Sequence, residues 1–103
     1  MSVPGLDSLI HAPVRLQICA ILSATDEAEF ALVREETGVS ESVLSKQVKL
    51  LEEAGYVAVR KATMASRQRT WLALTRAGRT AFAAHMQALT RLAETAAGGI
   101  AAE

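Results

Sequence analysis

A single cysteine, Cys19, occurs in the 103-residue sequence, so no internal disulfide can brace the fold. It lies in the apolar run Leu16-Gln17-Ile18-Cys19-Ala20-Ile21-Leu22, where a small buried thiol is the ordinary role and a redox-sensing thiol the alternative. The two histidines, His11 and His85, are widely spaced, with no cysteine cluster or paired carboxylates at ligand spacing beside them, and no metal site is expected. A glycine-rich phosphate loop, a cofactor motif and a nucleophile-and-base set are also missing, which argues against an enzyme. No apolar stretch approaches the roughly 18 residues that span a bilayer, and the first residues lack the basic start and apolar core of a secretory signal. A cytoplasmic protein without membrane contact is the expectation. At this length we expect one domain over about residues 1–97, with a flexible tail at 98–103.

Aromatic residues are scarce too: two Phe, one Trp and one Tyr. With 50% of residues apolar, the core must be built from Leu, Ile, Val and Ala, a composition suited to packed helices. The 11 basic and 11 acidic residues cancel, but they are unevenly placed. Residues 1–53 hold nine acids and four bases, whereas 54–93 hold seven bases (Arg60, Lys61, Arg67, Arg69, Arg76, Arg79, Arg91) and no acid. A basic surface is therefore attainable on a neutral chain, and it would suit a polyanionic partner.

The most informative stretch runs from Val39 to Val57. Ser40 is placed to cap a helix, and Val39 and Leu44 stand where a hydrophobic staple closes. Leu44, Val48 and Leu51 follow at steps of four and three, which buries one stripe, and Gly55 sits where a left-handed residue ends the helix. The opposite face carries Ser42, Ser45, Lys46 and Lys49. Hydroxyls and lysines near a helix N-terminus suit phosphates and base edges, although a merely solvated face would look the same.

Before this helix, Leu6, Leu9 and Ile10 suggest a short first helix, and Pro13 fits the first turn of a second one through Val14, Ile18, Ile21 and Leu22. A minimal strand around Ala28 to Phe30 can precede a third helix that ends near Thr37-Gly38. After Gly55 the period changes to two: Val57 and Val59 alternate with Ala58 and Arg60, and Leu72 and Leu74 with Trp71 and Ala73. Two strands with a hairpin tip within Ala62 to Gln68 follow. Thr75 caps a last helix from about Arg76 to Ala96, ended by Gly98-Gly99. Its stripe of Phe82, Met86, Leu89 and Leu92, together with Leu6, Leu9 and Ile10, is the apolar surface left once the core is assigned. It predicts a homodimer interface, the alternative being packing on its own domain.

The chain resembles the short bacterial transcriptional regulators of the MarR and ArsR type. The likeness rests on His11-x-Pro13-x-Arg15-Leu16-x-Ile18, on Leu51-Glu52-Glu53-Ala54-Gly55-Tyr56-Val57, and on Arg69-Thr70-x-x-x-Leu74-Thr75-x-x-Gly78-Arg79, and it covers about residues 6–92. It implies a mainly α winged helix-turn-helix with a two-stranded β-hairpin wing and a C-terminal dimerisation helix, binding double-stranded DNA as a homodimer. On that reading Ser40, Ser42, Val43, Ser45, Lys46 and Lys49 face the major groove, with Ser42, Ser45 and Lys46 reading sequence. Glu41 either accepts from a cytosine amino group or favours the helix N-terminus. Arg60, Lys61, Arg67 and Arg69 of the wing reach phosphate or the minor groove. Arg34 would contact backbone, and Arg15 would do so or serve as a structural partner of the preceding helix. The function expected is that of a repressor. The same fold also serves in protein–protein contacts, which is the alternative. A small-molecule effector of unknown identity could bind near the dimer helices, although no motif specifies one.

Overall fold

In the computed structural model, which describes residues 3–102 and the side chains of 3–98, helix α1 (Pro13–Ser23) leads into a two-residue strand β1 (Ala28–Glu29), helix α2 (Phe30–Thr37) and helix α3 (Glu41–Glu53). A hairpin of β2 (Val57–Met64) and β3 (Arg67–Leu74) follows, and helix α4 (Arg76–Ala102) closes the chain. The sheet order is β1-β3-β2, antiparallel throughout, with Ala28 opposite Leu72 and Val57 opposite Leu74. Ile18, Cys19 and Leu22 of α1, Val33 of α2 and Leu44, Val48 and Leu51 of α3 meet Val57, Leu72 and Leu74 of the sheet in one apolar core. Helix periodicity on one side and strand alternation on the other supply these residues, as the sequence pattern implied.

Local chemistry sets the helix ends. Pro13 opens α1, where its missing N–H costs nothing. The Ser40 side chain accepts from the Val43 amide at 3.2 Å and caps α3. At the other end the Gly55 amide donates to Glu52 and the Tyr56 amide to Leu51, both at 2.9 Å, with Gly55 at φ 81°, which is a Schellman ending. Thr75 accepts from the Gly78 amide at 3.0 Å and donates to the Gly55 carbonyl at 2.6 Å, so one hydroxyl starts α4 and ties it to the end of α3.

Three expectations change and one, the hairpin tip, narrows. Residues 4–10 form turns rather than a helix: the Asp7 carboxylate accepts from the amides of Leu9 and Ile10 and the His11 amide donates to the Asp7 carbonyl at 2.8 Å, but this single capped turn stops at Ala12, which Pro13 holds extended. Ile10, placed by its pattern at a dimer surface, is fully buried in the protomer's own core. The hairpin tip is only Ala65-Ser66, at φ 52° and 64°, since Met64 still pairs with Arg67. Positive φ at both central residues matches the twist of the strands and is reached here without Asn-Gly. Helix α4 continues through Gly98-Gly99 to Ala102; of the supposed flexible tail only Glu103 lies outside the described residues.

The buried face of α4 is Gly78, His85 and Ala88, with Ala81 packed against the core. Met86, 40% exposed, lies on another face, whereas Leu92, 41% exposed, continues the stripe of His85 and Ala88 further along the helix; Leu89 is half-buried, and Phe82 leans on the core. Gly78 is fixed by contact: a Cβ there would run into the Tyr56 carbonyl, whereas one at Gly55 would meet open space. Gly55→Ala should therefore cost only the positive φ, about 1–2 kcal/mol, and Gly78→Ala about 3 kcal/mol or more despite alanine's better helix propensity. Urea midpoints of the two variants check this ranking.

Candidate nucleic-acid interface

The exposed face of α3 begins at its cap. Ser40, Glu41, Ser42, Val43, Ser45, Lys46 and Lys49 are all solvent-exposed, while Leu44, Val48 and Leu51 anchor the helix from beneath. Ser40 is largely committed: its oxygen holds the Val43 amide and lies 3.3 Å from the Ser42 hydroxyl. Ser42, Ser45, Lys46 and Lys49 are the groups left to meet a ligand. Glu41 sits in the first turn, where a carboxylate favours the helix dipole.

The wing behaves differently from expectation. Arg60 is bound to Glu27 through two nitrogens, at 2.6 and 3.3 Å, and its guanidinium lies 5.6 Å from the Trp71 ring centre. Arg69 is bound to Glu29 at 3.1 Å. Both arginines thus hold the hairpin to β1 and the residues before it, and each would have to leave a carboxylate to reach a phosphate. Arg79 donates to the Thr25 carbonyl at 2.9 Å and is likewise structural. Lys61 and Arg67 form no ion pair among the described residues. Between α3 and the wing runs an open groove of about 540 Å³ lined by Ser45, Lys49, Lys61 and Thr70, by the acids Glu41 and Glu52, and by apolar residues including Phe30, Val48 and Leu72.

Arg15 is a positioning residue. It donates to the Leu9 carbonyl and, at 2.6 Å, to the Gln47 side chain, steadying α3 from behind. Arg34 is exposed on α2.

Asp7, Tyr56 and His85 escaped the pattern reading, because isolated polar residues carry no periodic signal. The Tyr56 hydroxyl donates to Asp7 Oδ2 at 2.6 Å, and the Asp7 amide donates to Nδ1 of fully buried His85 at 3.0 Å. His85 Nε2 lies 3.2 Å from Nδ1 of His11. Burial pushes the Asp7 carboxyl up, but the bonds from Tyr56, Ile10 and Leu9 and nearby His85 outweigh it and leave it below its ordinary value. The Tyr56 phenol is raised, chiefly by donating to Asp7 and then by burial, so both shifts describe a phenol donating to a carboxylate. Among the described residues no group of three or more His, Cys, Asp or Glu is arranged to hold a metal ion, and no helix is long and apolar enough to cross a membrane.

With this geometry in view, comparison with known proteins is direct. The chain belongs to the winged helix DNA-binding domain family, which it matches over residues 14–93. It is 28% identical over 86 residues to an uncharacterized protein of Methanocaldococcus jannaschii, covering 84% of this chain and 94% of that one. A transcriptional regulator homologue from Pyrococcus horikoshii superposes with a TM-score of 0.78 at 24% identity, covering 84% and 85% of the two chains. A MarR-family transcriptional regulator from Silicibacter pomeroyi superposes at 0.60 with 25% identity, over 82% of this chain and 59% of that one.

Cys19 lies in the core, and burial, then the charge of Asp7, pushes its thiol up to about 11 against the opposing effect of Arg15. A thiolate is the reactive form, so a redox role finds no support here. At about pH 8 a disulfide-exchange reagent should label the native protein only at the rate of unfolding, and labelling should become immediate in denaturant. Stopped-flow thiol titration checks this.

Proposed function

We propose that this protein is a homodimeric, sequence-specific DNA-binding transcriptional regulator acting as a repressor. The observation that carries the reading is the free face of α3, where Ser42, Ser45, Lys46 and Lys49 project around a capped helix N-terminus and no acid pairs with the lysines among the described residues. Membership of a DNA-binding domain family and structural likeness to transcriptional regulators support it. In this reading α3 enters the major groove. Ser42 and Ser45 offer donor and acceptor to base edges, Val43 meets a thymine methyl, and Lys46 and Lys49 neutralise phosphates or reach a guanine. In the wing, Lys61 and Arg67 make the backbone or minor-groove contacts, while Arg60 and Arg69 keep the hairpin in place. Repression follows from occupancy of an operator that overlaps a promoter, and no catalytic step is required.

The test is fluorescence anisotropy with DNA from upstream of the protein's own gene, from about 50 to 200 mM salt, the range over which counterion release is felt. Lys49→Ala and Arg67→Ala should weaken binding to all sequences and lower the salt slope by about one each. Arg60→Ala should leave the slope unchanged, and Ser45→Ala should change site preference more than general affinity. Salt-insensitive binding of a protein partner through exposed Val43 and Leu50 would instead favour an interaction module.

Dimerisation is assigned to the exposed apolar side chains in the second half of α4. Met86 and Leu92 are large, apolar and exposed, with half-buried Leu89 between them, and residues 91–98 are exposed along the helix. Two copies laid together would bury this stripe and double the DNA contacts at a fixed half-site spacing. Leu92→Glu combined with Met86→Glu should give a folded monomer by sedimentation. Operator affinity should fall by about tenfold or more, as loss of one half-site implies.

A further inference from the structure

The contact between residues 3–12 and α4 is polar where the rest of the core is apolar, and its hydrogen bonds have only one self-consistent arrangement. The Asp7 amide can only donate, so His85 Nδ1, at 3.0 Å, must be the bare nitrogen of a neutral ring. The proton of His85 is therefore on Nε2, which donates to His11 Nδ1 at 3.2 Å, and His11 carries its own proton on Nε2. Each atom of the chain has its role assigned from the amide end. A proton added to His85 places N–H against N–H at Asp7. A proton added to His11 turns its Nδ1 into a donor and demands that His85 reverse, with the same result. A metal between the two rings would require that same reversal.

We propose that the Asp7–His85–His11 chain is an acid-sensitive latch, in which protonation of either imidazole releases the N-terminal segment from α4. His85 is fully buried and His11 exposed, so solvent protons reach one end of the chain. The charged groups around His85 are few. From the segment come Asp7 and His11, from the bend between α3 and β2 Tyr56, which spends its proton on Asp7, and from α1 Cys19, a neutral thiol, and Arg15, which is engaged by Leu9 and Gln47. Arg91 of α4 lies beside Gly5. Asp7, whose charge acts on His85, already accepts from Tyr56, Leu9 and Ile10, so little acceptor capacity remains for an imidazolium.

Burial, and then His11, hold His85 below its ordinary value of 6.5, with Asp7 opposing. The folded protein takes up this proton less readily than an unfolded chain, so the stabilisation is complete above 6.5 and is lost as pH falls from there through the folded value. Asp7 titrates in a separate, more acidic window below 3.8. Ile10 remains seated in the core, so the release is local to the residues that lie on α4. Gly5 is one of these, since a Cβ there would stand 3.2 Å from the Ala84 carbonyl and 3.3 Å from the Ala88 side chain. Where α4 serves as the dimer helix, a consequence that rests on the function proposed above, release would alter the helix that carries the partner.

The experiment is amide hydrogen exchange by NMR on the full chain between about pH 7.5 and 5.5, corrected for the intrinsic rate, with histidine titration followed in the same samples. Protection of the Asp7 amide should fall by about tenfold or more as the imidazoles protonate, while Val48 and Leu51 keep theirs. In His85→Gln the side-chain oxygen can accept from Asp7 without titrating, so the pH dependence of protection there should shrink by the share that His85 carries. Unchanged Asp7 protection after either imidazole has protonated would overturn the latch. So would loss in step with the core amides, or an undiminished pH response in a folded His85→Gln protein. If that variant does not fold, the wild-type comparison decides alone. Neither DNA nor a partner enters the measurement, so its failure leaves the proposed function untouched.

Discussion

Tyr56 stands where four parts of the chain meet. Its amide closes α3 on the Leu51 carbonyl and its carbonyl accepts the Thr75 amide, each at 2.9 Å. Its hydroxyl holds Asp7 and with it the N-terminal segment. The same carbonyl faces Gly78, so α4 can approach only because no Cβ intervenes there. Apolar packing is non-directional, and a core of aliphatic side chains leaves helices free to slide by a fraction of a turn. Directional bonds gathered on one residue remove that freedom. The angle between α3 and the wing, on which any groove-and-backbone contact depends, is therefore fixed at the junction of Tyr56 with Thr75.

Charge is arranged with similar economy. The acidic first half and the basic second half of the sequence fold against each other, joining Glu27 to Arg60 and Glu29 to Arg69. Such partly exposed pairs contribute little stability, and their effect is to orient the hairpin. Neutralising these arginines removes the most obvious basic patch in the sequence. The positive groups that remain without a carboxylate include Lys46 and Lys49 on α3 and Lys61 and Arg67 on the wing, on the two elements that flank the groove. The protein is neutral overall, and four of its nine bases without an ion pair among the described residues stand on α3 and the wing, the others lying on α1, α2 and α4.

Much of this was legible before the structure, and the reasons are physical. Caps at Ser40 and Thr75, the Gly55 ending and the stripe Leu44, Val48, Leu51 are local signals, and local signals survive folding. The wing strands were readable because period-two alternation in Val57, Val59, Leu72 and Leu74 reports a sheet with one face buried. What was not legible depended on contacts remote in sequence. Glu27 and Glu29 claim Arg60 and Arg69 from 33 and 40 residues away. Ile10 looked like surplus apolar surface because nothing local shows that Asp7 turns the segment inward. On α4 the helix packs on its own domain through Gly78, Ala81, His85 and Ala88, with Phe82 beside them, and a stripe of small or polar side chains gives almost no hydropathy signal.

That division of α4 has a structural logic. Small residues let the N-terminal segment come close enough for the Asp7 amide to reach the His85 ring, which a Leu or Met at position 88 would prevent. The large residues stand beside this stripe at Met86 and beyond its covered end at Leu92, where their burial needs another surface. At about 1.5 Å per residue the helix is about 40 Å long, and it is exposed along residues 91–98. The stripe of Gly78, Ala81, His85 and Ala88 thus runs on into Leu92, so the contact of His85 with Asp7 supports the same helix that presents Met86 and Leu92 to solvent.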